Sequence, residues 1–338
     1  MTYTAQDFKS DVEVRWCPGC GDHAILASVQ RVLPDVSKLL SIPKENFAFI
    51  SGIGCSSRFP YYMNAYGVHS IHGRATAIST GVKLANPALS VWQVTGDGDA
   101  LAIGGNHFIH AIRRNVDLNI LLFNNEIYGL TKGQYSPTSK LGLVTKTSPY
   151  GTVERPFNPG ELVIGATGTF FARSLDVEVK LSSECMMAAA LHKGCSVVEV
   201  LQNCVIFNDK THDIFAARDV REEKTIVLRH GEPMIFGKNK DKGLVLDGTK
   251  IKVVKIGENG IAEKDILVHN AHEKAPGIHT LLAAMRGEFP VALGVIRAVP
   301  DSNTYDEKVH EQIAQVKSVR TISDMDELLH SGETWEVK

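Results

Sequence analysis

Two oxygen-bearing side chains stand where the chain could bind a metal ion. Asp97 lies in the run Gly96-Asp97-Gly98-Asp99, and Asn125 is the second residue of an asparagine pair, 28 residues after Asp97. Each follows an apolar run that predicts a β-strand, and the carboxyl ends of neighbouring parallel strands line one crevice of an open sheet. Carboxylate and amide oxygens suit Mg²⁺, which commonly also binds the phosphates of a ligand. The spacing therefore predicts a site for Mg²⁺ and a diphosphate at this edge of the sheet.

The elements around these residues make the pattern more specific than a turn. Strands are predicted at Ser90–Thr95 and Leu118–Phe123, with a glycine-rich helix between them. Gly98 would let the backbone approach a ligand closely, and the helix N-terminus offers free N–H groups to phosphate. A Gly-Asp-Gly sequence alone usually forms only a turn. The whole arrangement resembles the thiamine diphosphate motif, in which GDG is followed by NN, and thereby implies thiamine diphosphate as a cofactor.

The second chemical feature is a set of six cysteines, two of which form a CxxC pair. The pair is Cys17 and Cys20, and the others are Cys55, Cys185, Cys195 and Cys204. Thiolates at CxxC spacing can bind Zn²⁺, bind an iron–sulfur cluster or act as a redox dithiol. A structural zinc usually takes two short Cys/His pairs, whereas one pair with scattered single cysteines suits a [4Fe–4S] cluster better. A redox dithiol would need only the pair, and Cys185 is interpreted as a small buried hydrophobic residue.

Six longer motifs occur along the chain in an order that resembles one protein family. They are WCPGCG at 16–21, GIGCSSR at 52–58, HGRA at 72–75, GDGDALAIGGNHFIHAIRRN at 96–115, NNEIYGLTKGQYSPTS at 124–139 and FPVALGVIR at 289–297. Together they resemble the β subunit of the 2-oxoacid:ferredoxin oxidoreductases, and the 2-oxoglutarate-type members look closest. The resemblance covers nearly the whole chain, and several long motifs in the right order are more specific than any one of them.

The resemblance implies an enzyme that oxidatively decarboxylates 2-oxoglutarate to succinyl-CoA and CO₂ and passes electrons through a [4Fe–4S] cluster to ferredoxin. It leaves open whether the reaction runs in this direction or fixes CO₂. A sister enzyme for pyruvate or a branched-chain 2-oxoacid is the close alternative, and a zinc-stabilised, non-catalytic scaffold is the alternative from another class. The family takes the pyrimidine side of the site and its glutamate from an α subunit. The chain alone is therefore expected to be nearly inactive, and its assembly would be a heterodimer or heterotetramer.

The resemblance also carries site roles over to numbered positions. Mg²⁺ would bind the side chains of Asp97 and Asn125 and the backbone carbonyl of Ile127. The residues expected to shape or approach the diphosphate are Gly96, Gly98, Asp99, His72, Gly73 and Arg74. The cluster ligands would be Cys17, Cys20, Cys55 and Cys204. Asn203 stands where the family commonly has a proline, which leaves Cys195 as an alternative fourth ligand. Cys204 is preferred because it follows the carboxyl end of a predicted strand, where ligands gather.

Two cations are candidates for binding the distal carboxylate of 2-oxoglutarate. Arg58 lies three residues after Cys55, and Lys132 lies in the loop after the asparagine pair. A guanidinium can hold a carboxylate through two parallel hydrogen bonds, which suits a dicarboxylate substrate. The alternative for each residue is a solvated surface charge, the usual state of a single lysine or arginine.

Composition and charge exclude several other classes of protein. Hydrophobic residues make up 43% and charged residues 22% of the 338 residues, which is typical of a soluble globular chain. The net charge of −2 gives no reason to expect nucleic acid or an anionic membrane as a partner. No apolar run approaches the roughly 18–20 residues of a transmembrane helix, and the polar N-terminus lacks the apolar core of a signal peptide. Cysteines that stay reduced to bind metal indicate the cytoplasm.

The elements that must position these residues follow an alternating pattern. From about Gly21 to Gln202, helical and strand patterns alternate, which predicts an α/β fold with a doubly wound, mostly parallel sheet, the thiamine diphosphate-binding fold. The first helix is expected to end at Pro34. Residues 1–207 are predicted to bind the diphosphate and the iron–sulfur cluster. Residues 208–338 are predicted to form a C-terminal α+β extension that packs on this core or on a partner subunit.

Overall fold

A large sheet forms the centre of the molecule, a computed structural model that describes residues 2–301, 303–319 and 322–337. The strands are β1 (Phe47–Ser51), β2 (Tyr66–His69), β3 (Ser90–Gly96), β4 (Leu118–Asn124), β5 (Phe170–Leu175), β6 (Cys195–Leu201), β7 (Thr225–Leu228), β8 (Ile235–Phe236), β9 (Lys242–Asp247), β10 (Lys250–Lys255) and β11 (Val291–Ala298). Eight of them form one sheet in the order β2-β1-β3-β4-β6-β5-β11-β7. Neighbours pair in parallel except β11, which runs antiparallel to β5. The predicted α/β fold with a mostly parallel sheet is confirmed.

Helices cover both faces of this sheet. The α-helices are α1 (Asp22–Leu40), α2 (Ala75–Ala85), α3 (Asp97–Leu101), α4 (Gly105–Arg114), α5 (Pro159–Gly165), α6 (Val179–Leu191), α7 (Asp213–Ala216), α8 (Arg221–Lys224), α9 (Gly277–Ala284), α10 (Tyr305–Val319) and α11 (Met325–Leu329). Short 3₁₀ helices lie at Ala5–Phe8, Lys44–Asn46, Ser56–Tyr62 and Glu263–Asp265. One core contains Val29 of α1 and Met186 of α6, and the other contains Phe108 of α4 and Leu282 of α9. Within the described ranges, no helix has both the length and the apolar character that a membrane crossing needs.

The C-terminal third of the chain completes one edge of the large sheet. β11 pairs with β5 on one side and with β7 on the other, so residues beyond 208 contribute two of the eight strands. The strands β8, β9 and β10 form a separate antiparallel sheet, whose Phe236, Leu244 and Ile251 are buried in the second core. The boundary at residues 207 and 208 stays a prediction, and the shared sheet favours joint folding of the two parts.

Pro34 does not end the first helix, contrary to the prediction. α1 continues through Pro34 and ends before Ser41, which adopts a left-handed conformation. A proline inside a helix costs about 3 kcal/mol because it removes a backbone hydrogen bond and crowds the preceding turn. Leu33 and Val36 are both fully buried on either side of the proline, and each such burial contributes roughly 1.5–3 kcal/mol. Packing of α1 against α6 therefore outweighs the local cost.

The strands that lead to the predicted site end side by side. The last pair between β3 and β4 joins Gly96 to Phe123, and α3 begins immediately afterwards at Asp97. The last pair between β4 and β6 joins Asn124 to Leu201. The GDG turn, the asparagine pair and the segment that contains Cys204 therefore leave the sheet at the same edge.

Candidate active site

A cavity of about 600 Å³ opens at the carboxyl ends of β3 and β4, which is a size typical of cofactor sites. Eight predicted site residues form part of its wall: Cys55, His72, Gly96, Asp97, Gly98, Asp99, Asn125 and Ile127. Most of the side chains expected to take part in chemistry thus lie at the predicted edge of the sheet.

Asp97 is a buried carboxylate at the start of α3. The hydroxyl groups of Ser136 and Thr138 each donate a hydrogen bond to Asp97 Oδ2 at 2.5 Å. Burial raises the pKa of Asp97 to about 6; the two hydroxyls and the Gly98 N–H lower it in part, and the Glu126 carboxylate raises it further. A bound cation would stabilise the charged form of this carboxylate.

The two asparagines of the NN pair face different surroundings. Asn124 is buried: its Nδ2 donates to Glu199 Oε1 at 2.8 Å, and its Oδ1 accepts from Thr138 at 2.9 Å. Asn125 lines the cavity, and its Oδ1 accepts a hydrogen bond from the Ile127 N–H at 3.1 Å. Glu126 between Asn125 and Ile127 has a φ of 57°, a left-handed conformation that turns the chain. The turn leaves Asn125 and Ile127 on the cavity side.

Gly98 is required by close contact with Tyr128. A β-carbon at Gly98 would lie only 2.2 Å from Cε1 of the Tyr128 ring. The Tyr128 hydroxyl donates to the Gly98 carbonyl at 3.0 Å. Burial, with added repulsion from Asp97 and Asp99, raises the pKa of Tyr128 to about 12, so this phenol stays protonated and keeps donating.

Asp99, in the first turn of α3, binds the loops that contain Ile53 and Gly73. Its Oδ1 accepts from the backbone N–H groups of Ile53 at 3.0 Å and Gly73 at 2.7 Å, and lies 2.9 Å from Nδ1 of His72. Thr95 donates to the other oxygen at 2.7 Å.

The residues after His72 are held against the same helix. Gly73 has a φ of 68°, and a β-carbon there would lie 2.6 Å from the Gly104 backbone nitrogen. Arg74 donates to the carbonyls of Gly73 and Ile103, and it is not part of the cavity wall. Asp99 therefore sets the position of the HGRA motif beside the cavity.

Three loops bring four of the cysteines together. The Cys17–Cys20 turn is closed by the Cys20 N–H, which donates to the Cys17 carbonyl at 3.0 Å. A β-carbon at Gly129 would lie 3.5 Å from the sulfurs of both Cys55 and Cys204. The Trp16 indole N–H donates to the Cys55 carbonyl at 2.7 Å, and Gln202 Nε2 lies 3.3 Å from the Cys20 sulfur. By contrast, Cys195 is fully buried at the first residue of β6, and Cys185 is buried in α6.

The surroundings of Cys20 and Cys55 favour the neutral thiol until a metal binds. Burial raises the pKa of Cys55 to about 12 and raises that of Cys20 as well, and the Asp22 carboxylate adds to both shifts. Within the described residues, no three His, Cys, Asp or Glu side chains converge as a single metal ion would require. A tetrahedral zinc ion needs sulfurs about 2.3 Å from one point, whereas a larger cluster binds thiolates at its separate corners.

Asp22 is a site residue that the sequence reasoning missed. It is the first residue of α1, lies two residues after Cys20, and forms part of the cavity wall. Burial raises the pKa of Asp22 to about 7, with a further contribution from Asp176, while a hydrogen bond from the Cys20 thiol, a weak donor, lowers it. Its position two residues after the CxxC pair is the sequence feature that could have predicted a place in the site.

Neither candidate for the substrate carboxylate is part of the cavity wall. Arg58 Nε donates to the Tyr62 hydroxyl at 3.0 Å, and its charge lowers the pKa of Cys55. Lys132 is exposed and has a φ of 78°, and its neighbour Thr131 does line the cavity. The structure therefore places Arg58 on the cysteine side and Lys132 at the rim.

A chain of buried polar groups connects Asp97 to the core. Arg173 Nε donates to Glu199 Oε2 at 2.6 Å, and the other oxygen of Glu199 binds Asn124, which in turn accepts from Thr138. The single Thr138 hydroxyl proton is shared between Asn124 Oδ1 and Asp97 Oδ2, so one network joins a buried ion pair to the predicted metal ligand. Burial alone would raise the pKa of Glu199, but Arg173 and Asn124 hold it below its ordinary value.

Replacing Glu199 by glutamine should lower the free energy of unfolding by about 3–5 kcal/mol, because the Arg173 guanidinium would stay buried without its partner. Urea denaturation of the full chain, followed by circular dichroism, measures this difference. The matched control is Glu184→Gln, which removes an exposed ion pair with Arg229 and should cost less than about 1 kcal/mol. Equal effects of the two substitutions would contradict the structural role of the buried pair.

The fold and the site together define a class of protein. A mostly parallel sheet with Asp97 and Asn125 beside a cofactor-sized cavity is the arrangement of a thiamine diphosphate-binding domain, and the family model for the C-terminal TPP binding domain of thiamine pyrophosphate enzymes matches residues 52–200. The 2-oxoglutarate oxidoreductase subunit KorB of Mycobacterium tuberculosis is 48% identical over 336 residues, which cover 98% of this chain and 88% of that protein. This chain belongs to the β-subunit family of the 2-oxoacid:ferredoxin oxidoreductases.

Two further comparisons agree with this family. Subunit beta of 2-oxoacid:ferredoxin oxidoreductase 1 from Aeropyrum pernix is 45% identical over 202 residues, or 60% of this chain and 62% of that protein. The solved 2-oxoglutarate:ferredoxin oxidoreductase of Magnetococcus marinus, with 2-oxoglutarate, coenzyme A and succinyl-CoA bound, has a TM-score of 0.76 at 30% identity; the match covers 98% of this chain and 97% of that chain. The predicted family and fold are confirmed.

Proposed function

We propose that this chain is the β subunit of a 2-oxoglutarate:ferredoxin oxidoreductase that acts with an α subunit. Such an enzyme converts 2-oxoglutarate and coenzyme A to succinyl-CoA and CO₂ and passes two electrons to ferredoxin. The observation that carries the proposal is the shared wall of one cavity, which contains Asp97, Asn125 and Cys55. A cofactor bound through a metal-linked diphosphate would lie directly beside the cysteine group.

The diphosphate end of the cavity fits Mg²⁺ and thiamine diphosphate. Asp97 would supply a carboxylate, Asn125 an amide oxygen and Ile127 a backbone carbonyl, the hard oxygen ligands that Mg²⁺ prefers. The metal would also offset the cost of burying the charge of Asp97, which its raised pKa reflects. Thiamine diphosphate, when bound, supplies the electron sink that loss of CO₂ from a 2-oxoacid needs.

The cysteine end of the cavity fits a [4Fe–4S] cluster better than a single zinc ion. Cys17, Cys20, Cys55 and Cys204 form one group, and their side chains do not converge on a single point among the described residues. The Asp22 N–H donates to the Cys20 sulfur, which favours the thiolate that iron binds. Bound at this position, a cluster supplies one-electron chemistry next to the cofactor.

The substrate is proposed from the relatives and from the rim of the cavity. The M. tuberculosis relative is named for 2-oxoglutarate, and the M. marinus structure contains it. Lys132 is the better placed of the two candidates for the distal carboxylate, because Leu130 and Thr131 beside it line the cavity. One observation favours the alternative, an enzyme for pyruvate or a branched-chain 2-oxoacid: the described cavity wall contains no lysine or arginine.

The test is the activity of the complex with its α subunit, purified without oxygen, on several 2-oxoacids with coenzyme A and ferredoxin. We expect the highest kcat/KM for 2-oxoglutarate. Lys132→Ala should lower that value by about 10- to 150-fold, because the distal carboxylate loses a charge-assisted hydrogen bond, and should leave the value for pyruvate nearly unchanged.

The control is Lys146→Ala, which removes an exposed charge from the segment between β4 and α5 that also contains Lys132. It should change kcat/KM for neither 2-oxoglutarate nor pyruvate. Arg58→Ala should affect every substrate alike if this residue serves the cysteine side. A wild-type preference for pyruvate would favour the sister enzyme. If the ratio of kcat/KM for 2-oxoglutarate to kcat/KM for pyruvate changes in neither Lys132→Ala nor Arg58→Ala, substrate choice would lie in the α subunit. Zinc without iron in the purified complex would contradict the oxidoreductase function.

A further inference from the structure

Asp22 is a buried carboxylate that no N–H or O–H group of the described residues hydrogen-bonds. The residue is 1% exposed, and neither of its oxygens accepts a hydrogen bond from an N–H or O–H group. It nevertheless forms part of the wall of the cofactor cavity. Burying a carboxylate without partners is strongly unfavourable, and a donor on a bound molecule would remove this cost.

Ordinary structural roles do not account for this side chain. A negative charge in the first turn of α1 is favourable, but the side chain makes no hydrogen bond to the helix backbone. The neighbouring carboxylate Asp176 differs, because it accepts from the backbone N–H groups of Asn203 and Val177 and so holds the segment before Cys204. The thiol of Cys20 is a weak donor that is lost when its thiolate binds metal. Asp176 thus has a structural role through its hydrogen bonds to the backbone, whereas Asp22 faces the cavity.

Asp22 lies at the cysteine end of the cavity. The Asp22 N–H donates a hydrogen bond to the Cys20 sulfur, and the Asp22 side chain follows that thiol by only two residues in the chain. With the diphosphate at Asp97, a cofactor that fills the cavity would bring its rings to the part of the wall that Asp22 and Cys55 form. The thiazolium ring carries no N–H or O–H group, and the ring nitrogens of the neutral aminopyrimidine are acceptors. The 4′-amino group is the hydrogen-bond donor that these rings offer.

We propose that Asp22 accepts a hydrogen bond from the 4′-amino group of bound thiamine diphosphate. The inference rests on the proposed function and deepens it, because it gives this chain a contact with the aminopyrimidine, the ring expected to be held mainly by the α subunit. A fixed carboxylate at this position orients the amino group relative to the thiazolium ring. Asp22 is accordingly a cofactor-positioning residue.

The test is the affinity of the cofactor-depleted complex for three compounds, measured by calorimetry with Mg²⁺ present. Asp22→Asn should weaken binding of thiamine diphosphate by roughly 5- to 10-fold, because the amide oxygen still accepts a hydrogen bond but no longer carries a charge. The 4′-deamino analogue should bind the wild type and the variant equally. The 3-deaza analogue keeps the amino group, but the ring that replaces the thiazolium is uncharged. Asp22→Asn should weaken its binding by the same factor as it weakens binding of thiamine diphosphate.

The matched control is Asp176→Asn, which removes the neighbouring charge and should leave the preference for thiamine diphosphate over the deamino analogue unchanged. Equal weakening of the deamino analogue by Asp22→Asn, or no weakening of the 3-deaza analogue, would overturn the proposal. Wild type that does not bind thiamine diphosphate would refute the proposed function itself, whereas unchanged affinity in Asp22→Asn refutes only this inference. If Asp22→Asn loses iron, Asp22→Ser replaces it; iron loss in both would assign Asp22 to the cysteine group and overturn the proposal.

Discussion

Replacing Asp97 by alanine should lower the affinity of the complex for thiamine diphosphate with Mg²⁺ by more than about 100-fold. Changing a residue that only hydrogen-bonds a metal ligand typically costs about 10- to 100-fold, and Asp97 is proposed to bind the metal itself. The diphosphate would keep its full charge while the site lost its buried carboxylate. Calorimetry on the cofactor-depleted complex with the α subunit measures the change.

Two serine variants serve as graded controls for the Asp97 result. Ser136→Ala removes a hydroxyl that donates to Asp97 and should cost about tenfold. Ser79→Ala removes a buried hydroxyl of α2 that has no partner in the described structure, and it should leave the affinity unchanged. Unchanged affinity in Asp97→Ala would show that the GDG and NN motifs do not form the cofactor site.

Alanine at any one of Cys17, Cys20, Cys55 or Cys204 should cause loss of the cluster. Each substitution removes one of four thiolate ligands, and the iron content should fall from about four atoms per chain towards zero. Electron transfer to ferredoxin should fall with it. Iron analysis and the visible spectrum of protein purified without oxygen measure the effect directly.

Cys185→Ala and Cys195→Ala are the matched controls for this prediction. Both residues are buried outside the wall of the cofactor cavity, and Cys195 lies at the opposite end of β6 from Cys204. Neither variant should lose iron. Iron loss in Cys195→Ala with retention in Cys204→Ala would reverse the choice of the fourth ligand.

The central strands could be predicted because they are buried on both sides. β1, β4 and β6 are mainly apolar and fully or almost fully buried, the pattern of parallel strands in a covered sheet. β2 has four exposed residues and no such pattern. β11 stood inside a recognised motif but was not predicted as a strand, because a short apolar run does not distinguish a buried strand from a buried helix.

The site could be predicted only where motif spacing or strand direction determines position. The direction of β6 was enough to place Cys204, rather than Cys195, at the edge where Asp97 and Asn125 lie. Ser136 and Thr138 escaped prediction because they contact Asp97 from 39 and 41 residues away, and a serine or threonine in a loop carries no signal of its own. Glu199 was missed for a similar reason, since its bond to Asn124 spans 75 residues.

The late arrival of β11 has a consequence for the nascent chain. β5 ends at Leu175, and the strand that covers its free side begins only at Val291. At about 5–20 residues per second, a ribosome needs roughly 6–23 s to make the intervening segment. Once β6 has been made and β5 has paired with it, the outer edge of β5 presents unpaired N–H and C=O groups until β11 is made. These groups can associate with another chain still being synthesised. A shortened protein that stopped at residue 207 would retain every cofactor motif and would keep this edge open permanently.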